Sequence, residues 1–123
     1  MKEILPRVYH WTATHPRIGI EVSSYYLADE KILLDPMVPE KGLGSFECGV
    51  EHILLTNRHH YRQSGELARR YGCTVWCAET GLHEFTHGEN VKPFKFGDTL
   101  PGGIEAVEIG ALCPDETALL IPR

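Results

Sequence analysis

Ile53–Gly65 reads ILLTNRHHYRQSG. An apolar run breaks abruptly into a loop of Asn57, Arg58, His59, His60, Tyr61 and Arg62, and a helix-like segment, Glu66–Tyr71, follows directly. In an open α/β sheet, ligands gather where strands end and the chain turns into a helix. A polar, ring-rich loop at such a junction is therefore the first candidate for chemistry. A solvated loop that merely holds two histidines has the same spacing, so the residues alone leave both readings open.

The flanks of this stretch set the fold class. Val50–Thr56 is apolar with few interruptions, as a buried central strand would be. In the helix, Leu67, Ala68 and Tyr71 share one side, Arg69 and Arg70 point away, and Gly72 is placed to stop it. Thr74–Cys77 reads as the next strand. Strand, helix and strand make a βαβ unit, right-handed by strong preference. Upstream, Ile4–Trp11 around Pro6 reads as an irregular edge strand. Ile18–Leu27, a turn at Ala28–Lys31 and a short strand Ile32–Leu34 ending in Asp35-Pro36 form an antiparallel meander with it. Met37–Gly49, with Pro39, Gly42, Gly44 and Gly49, is expected to be loop or frayed helix. Downstream come a short helix over Ala78–His87 ended by Gly88, a strand at Val91–Phe96 and a turn at Gly97–Gly103. The alternating strand Ile104–Ile109 and the apolar strand Ala118–Ile121 follow. No repeat and no linker divides the chain, so residues 1–123 are expected to form a single α/β domain.

Composition narrows the function classes. A chain of 123 residues suffices for one small core, and 42% hydrophobic with 24% charged residues is the balance of an ordered globular protein. The net charge of −5 and the absence of any basic run longer than two residues argue against a nucleic-acid surface. No apolar run approaches the length of a membrane span, and MKEILPRVYHW lacks the apolar stretch of a secretory signal, so the cytoplasm is the expected compartment. Arg58, Arg62, Arg69 and Arg70 are a local exception to the acidic balance: either a basic rim or a pocket for an anion. Cys48, Cys73, Cys77 and Cys113 lack a paired C-x-x-C spacing. Cys73 and Cys77 lie along one strand, where four residues span about 13 Å, too far for one disulfide or one zinc ion.

The order of elements and several local sequences resemble the metallo-β-lactamase fold family. ILLDP at Ile32–Pro36 is similar to the early strand that ends in an aspartate. ILLTNRHHYRQSG is similar to the strand and loop that hold the metal motif. GDTLPGGIEAVEIG is similar to the strand pair before the next metal-binding histidine. The resemblance covers nearly all of this chain but only the N-terminal half to two-thirds of a usual family member. It implies an αββα sandwich and, in the family, zinc-dependent hydrolysis.

Compared with the family motif T-H-x-H-x-D-H-x-G, the stretch begins at Thr56 and departs at most ligand positions. Asn57 stands for the first histidine, His59 keeps the second, Tyr61 replaces the aspartate, Arg62 replaces the next histidine, and Gly65 is retained. The later histidine falls at Leu112, and a further bridging aspartate would lie past Arg123. A catalytic zinc needs three protein ligands with one position left for water. Only His59 is an ordinary ligand here, and the fixed charge of Arg62 would repel a nearby cation. The resemblance thus points to a degenerate metal site and not to a standard dinuclear zinc hydrolase. Asn57, Arg58, His59, His60 and Arg62, with Asp35, are instead expected to bind a small anion, because a guanidinium and helix-start N–H groups supply positive charge without metal. A mononuclear zinc hydrolase using His59 with His60 and Asp35 is the alternative.

A second motif competes. His83-Glu84-Phe85-Thr86-His87 matches H-E-x-x-H, which on a helix places two histidines and a water-activating glutamate on one face. The helix is short, Gly88 would end it at once, and only Glu105 and Glu108 follow as third ligands, so a zinc peptidase is the weakest of the three readings. Since half an αββα sandwich would leave a sheet face bare, either a homodimer or a longer natural chain is also expected.

Overall fold

The computed structural model describes residues 1–122. Its larger sheet has seven strands in sequence order: β1 (Lys2–Leu5), β2 (Val8–Thr14), β3 (Glu21–Leu27), β4 (Ile32–Leu34), β5 (His52–Leu54), β6 (Thr74–Ala78) and β7 (Val91–Phe94). The first four are antiparallel neighbours, and β4 to β7 run parallel. A smaller antiparallel sheet contains β8 (Thr99–Leu100), β9 (Ile104–Glu108) and β10 (Thr117–Leu120). The single α-helix among the described residues, α1 (Ser64–Tyr71), connects β5 to β6. The expected meander and βαβ unit are both present.

Strict alternation along the central strands creates two cores. Leu33, Ile53, Leu55, Val75 and Cys77 face α1, where they meet Leu67 together with Trp11 and Phe46. Ile32, Leu34, Leu54, Ala78 and Phe94 face the other way and pack on Leu100, Ile104 and Ala106 of the smaller sheet. Strands buried on both faces read as unbroken apolar runs, which is why ILL recurs at residues 32–34 and 53–55. Removing either face from water is worth about 1.5–3 kcal/mol for each large aliphatic side chain fully buried.

Gly72 ends α1 as expected. It takes the left-handed conformation, φ 65°, and its N–H bonds the Ala68 carbonyl at 2.8 Å. Elsewhere the boundaries shift. Residues 4–11 are not one irregular strand but the end of β1, a turn and the start of β2, because Arg7 adopts a left-handed φ of 63° and folds the chain back. The 97–103 turn contains β8, which pairs with β9. The segment expected to be helical to His87 is a 3-10 turn over Glu79–Glu84, and Phe85 already has non-helical dihedrals. The layers are therefore α1, the large sheet and the small sheet. The central strands of the large sheet are covered on both faces, its edge strand β1 is exposed, and the small sheet is partly bare, with Glu105 paired to the exposed Leu120.

Candidate functional site

Parallel pairing of β4 with β5 brings their carboxyl ends together, so Asp35 and Thr56 meet. Asp35 has a left-handed φ of 47°. Its Oδ1 accepts the Thr56 N–H at 2.8 Å, its Oδ2 accepts the Thr56 hydroxyl, and His60 Nδ1 lies 3.1 Å from the same Oδ2. Both carboxylate oxygens are thus engaged within the framework of the loop.

The loop opens with a short 3-10 turn, Arg58–His60, capped by Asn57, whose side-chain oxygen accepts the His59 N–H at 2.8 Å. Asn, among the best N-capping residues, is used here to hold its own turn. Arg62 follows in a left-handed conformation, φ 49°, and its Nη1 donates to the carbonyls of Ser23 at 2.8 Å and Asp35 at 2.6 Å. Burial lowers the Arg62 pKa from its ordinary value, opposed by the nearby Asp35 carboxylate. A guanidinium nevertheless stays protonated in proteins, so a permanent cation is fixed here.

Arg58 is anchored differently. Its backbone N–H donates to Oδ2 of Asp115 at 2.5 Å, and its Nη1 lies 3.5 Å from Oδ1 of that wholly buried residue. Arg58 also donates to two imidazoles, from Nη1 to His83 Nε2 at 3.2 Å and from Nε to His59 Nε2 at 3.4 Å. The other ring nitrogen of His59 lies 3.9 Å from Glu84 Oε1. The Glu79–Glu84 turn passes directly over Asp115, and Gly81 permits this: a Cβ there would sit 2.8 Å from the Asp115 Cγ.

These groups border a cleft of about 440 Å³ lined by His15, Arg17, Arg58, His59, Tyr61 and Arg62 with Gln63, Glu84, Phe85, His87 and Glu89. Of the residues expected from the sequence, Arg58, His59 and Arg62 reach the cleft. Asp35, Asn57 and His60 instead form the hydrogen-bonded frame beneath the loop. Arg17, Glu89 and the buried Asp115 were not foreseen, since they come from distant segments and carry no local motif. The His83–His87 pentapeptide does not lie on a helix, so its histidines lack the i, i+4 relation that a zinc peptidase requires: His83 meets Arg58, whereas His87 lines the cleft. Tyr61 and Phe85 form a tilted ring pair with centroids 5.7 Å apart. Burial, reinforced by Glu89, raises the Tyr61 pKa, with Arg69 opposing. A larger hollow of about 590 Å³, bordered by Arg7, Tyr9, Tyr26 and Cys48, includes no residue of the Asn57–Arg62 loop.

Comparison with solved structures identifies the architecture. The metallo-β-lactamase from Cronobacter sakazakii with a HARLDQ motif aligns over 96% of this chain and 58% of its own, with TM-score 0.67 and 17% identity. A B3 metallo-β-lactamase with an active-site glutamic acid aligns over 78% and 49%, with TM-score 0.62 and 18% identity. The metallo-β-lactamase from Staphylococcus aureus aligns over 92% and 38%, with TM-score 0.61 and 10% identity. The chain has a metallo-β-lactamase fold. It spans about half the length of these solved chains. No protein-family model and no curated protein matches the sequence.

The zinc that this fold implies does not suit the residues present. Leu112, which the motif comparison sets at the later histidine position, is 91% exposed and its side chain has no donor atom for a metal. His59 and His60 take different partners, Glu84 and Asp35, and do not converge. Among the described residues, no group of three His, Cys, Asp or Glu side chains is arranged to hold a metal ion.

Proposed function

We propose that this metallo-β-lactamase-fold chain binds a small anionic ligand in the cleft beside the Asn57–Arg62 loop and is not a dinuclear zinc hydrolase. The observation that carries this is the Arg62 guanidinium, held at the cleft by the carbonyls of Ser23 and Asp35. Arg62 stands at a metal-ligand position of the motif that the loop resembles, so a fixed side-chain charge takes the place of a metal charge. Arginine suits this role because it cannot be deprotonated and presents several donors in a rigid plane. With two carbonyls occupying Nη1 of Arg62, and Nε and Nη1 of Arg58 engaged by His59, His83 and Asp115, the donors offered to a ligand are the remaining N–H groups of Arg62, Nη2 of Arg58 and the guanidinium of Arg17.

Calorimetric titration with inorganic phosphate, simple carboxylates and nucleotides tests the proposal. Binding of at least one class, lost in a folded Arg62→Ala variant, is the expected result. No binding by any class overturns it. Stoichiometric zinc in protein purified without chelator, lost on His59→Ala, would favour a mononuclear hydrolase in its place.

A further inference from the structure

The cleft is bipolar, and its charges are close to balance. Arg58 is paired with the buried Asp115, and Arg62 lies beside Asp35. On the other wall are Glu84 and Glu89, both from the segment between β6 and β7. Glu84 has about half its side chain exposed, and among the described residues the ionisable side chain within ion-pair reach of it is His59, at 3.9 Å. Glu89 accepts the His87 N–H at 2.6 Å with one oxygen. A polyanion such as a triphosphate would meet two carboxylates on this wall, and like charges brought together in a partly desolvated site are unfavourable.

We infer that the ligand is a zwitterion of the α-amino acid type, with its carboxylate on the arginine wall, its ammonium on Glu84 and Glu89, and a flat or apolar side chain against Tyr61 and Phe85. This rests on the anion-binding reading above and narrows it. The contacts of His59 set an upper limit on the spacing of Arg58 and Glu84. The imidazole of His59 spans the gap, 3.4 Å from Arg58 Nε and 3.9 Å from Glu84 Oε1. One ring and two contacts keep Arg58 Nε within roughly 9.5 Å of Glu84 Oε1. An ammonium and carboxylate about 3 Å apart, with a hydrogen bond of about 2.8 Å at each end, cover nearly the same span. The volume lies within the range of small-molecule sites, about 300–1,000 Å³, and exceeds what an inorganic ion fills. The Tyr61–Phe85 pair adds an aromatic surface on which a planar group can stack.

A matched series distinguishes the outcomes: phenylalanine, which carries both charges, 3-phenylpropionate, which lacks the ammonium, phenethylamine, which lacks the carboxylate, and inorganic phosphate. Phenylalanine should bind at least about tenfold more tightly than phenylpropionate, about 1.4 kcal/mol. Phenethylamine should not bind measurably. The variant E84Q/E89Q should remove the advantage of phenylalanine and leave phenylpropionate at least as tight as in the wild type. Phenylpropionate or phosphate binding as well as phenylalanine would overturn the zwitterion and leave the anion site standing. If none of the four binds, the zwitterion falls, and if the broader anion series also fails, the anion site falls with it.

Discussion

The wholly buried carboxylate of Asp115 accepts the backbone N–H of Arg58, 57 residues earlier in the chain, at 2.5 Å. This bond fastens the start of the β5–α1 loop to the segment before β10, and Thr117 N–H to the Thr56 carbonyl at 2.9 Å continues the link. Removing the carboxylate strands a backbone donor and leaves Arg58 without its partner. Asp115→Ala should lose about 3–5 kcal/mol, the usual cost of breaking a buried charge pair from one side. Asp115→Asn, which keeps an acceptor, should lose less. Urea unfolding of both variants checks the order.

Gly81 gives an independent handle on the same contact. A methyl group there would press on the Asp115 side chain at 2.8–3.0 Å, and Gly81 itself needs no left-handed backbone. Gly81→Ala should therefore destabilise by overpacking alone, about 1–3 kcal/mol. An unchanged melting temperature would mean that the Glu79–Glu84 turn does not sit on Asp115.

Asp35 combines a backbone requirement with a hydrogen-bonding one. Its φ of 47° suits Asp and Asn far better than other non-glycine residues, and both its oxygens bond Thr56. Asp35→Asn should keep the conformation and one acceptor, costing about 1 kcal/mol, whereas Asp35→Ala should cost about 2–4 kcal/mol from strain and an unpaired Thr56 N–H. Equal losses in thermal denaturation would contradict this account.

Ser64 is fully buried at the first position of α1, and its hydroxyl has no partner among the described residues. An unpaired buried hydroxyl costs stability, and alanine is the better helix former. Ser64→Ala should raise stability by about 1 kcal/mol, visible as a higher urea midpoint with an unchanged slope.

Burial pushes the Cys77 thiol from its ordinary 9.0 up to about 12, with Asp115 and Asp35 adding to the effect. The folded state therefore holds the proton more tightly than the unfolded state. The resulting stability is complete below pH 9 and is lost as the pH rises from 9 towards 12. Cys73, Tyr26 and Tyr61 are raised by burial in the same direction, so stability should fall steadily across this window, less steeply in Cys77→Ala. At pH 8, alkylation should label the exposed Cys48 quickly and Cys77 only after denaturation.

Local pattern carried most of the architecture. The repeated ILL runs specify strands buried on both faces, because every second residue of each must find an apolar neighbour on opposite sides of the sheet. Gly72 specifies the end of α1, because it alone there reaches the left-handed conformation at little cost. Two boundaries were not legible. Arg7 turns the chain in a conformation uncommon for arginine, and the HEFTH segment follows a helical pattern that six residues of 3-10 turn cannot sustain.

The sequence by itself also pointed to the β5–α1 loop as the candidate site, because Asn57, Tyr61, Arg62 and Leu112 depart from the metal motif that the stretch resembles, and that is read from residue identity alone. Tertiary structure alone decided the use of each side chain. Asp35, Oδ1 of Asn57 and Nδ1 of His60 are engaged in holding the loop, Arg62 is fixed by the carbonyls of Ser23 in β3 and Asp35 just after β4, and Arg58 is fixed by Asp115. Arg17, Glu84 and Glu89 join the cleft from other segments. Side-chain direction depends on partners far away in the chain, and no periodicity or motif in a single stretch records those partners.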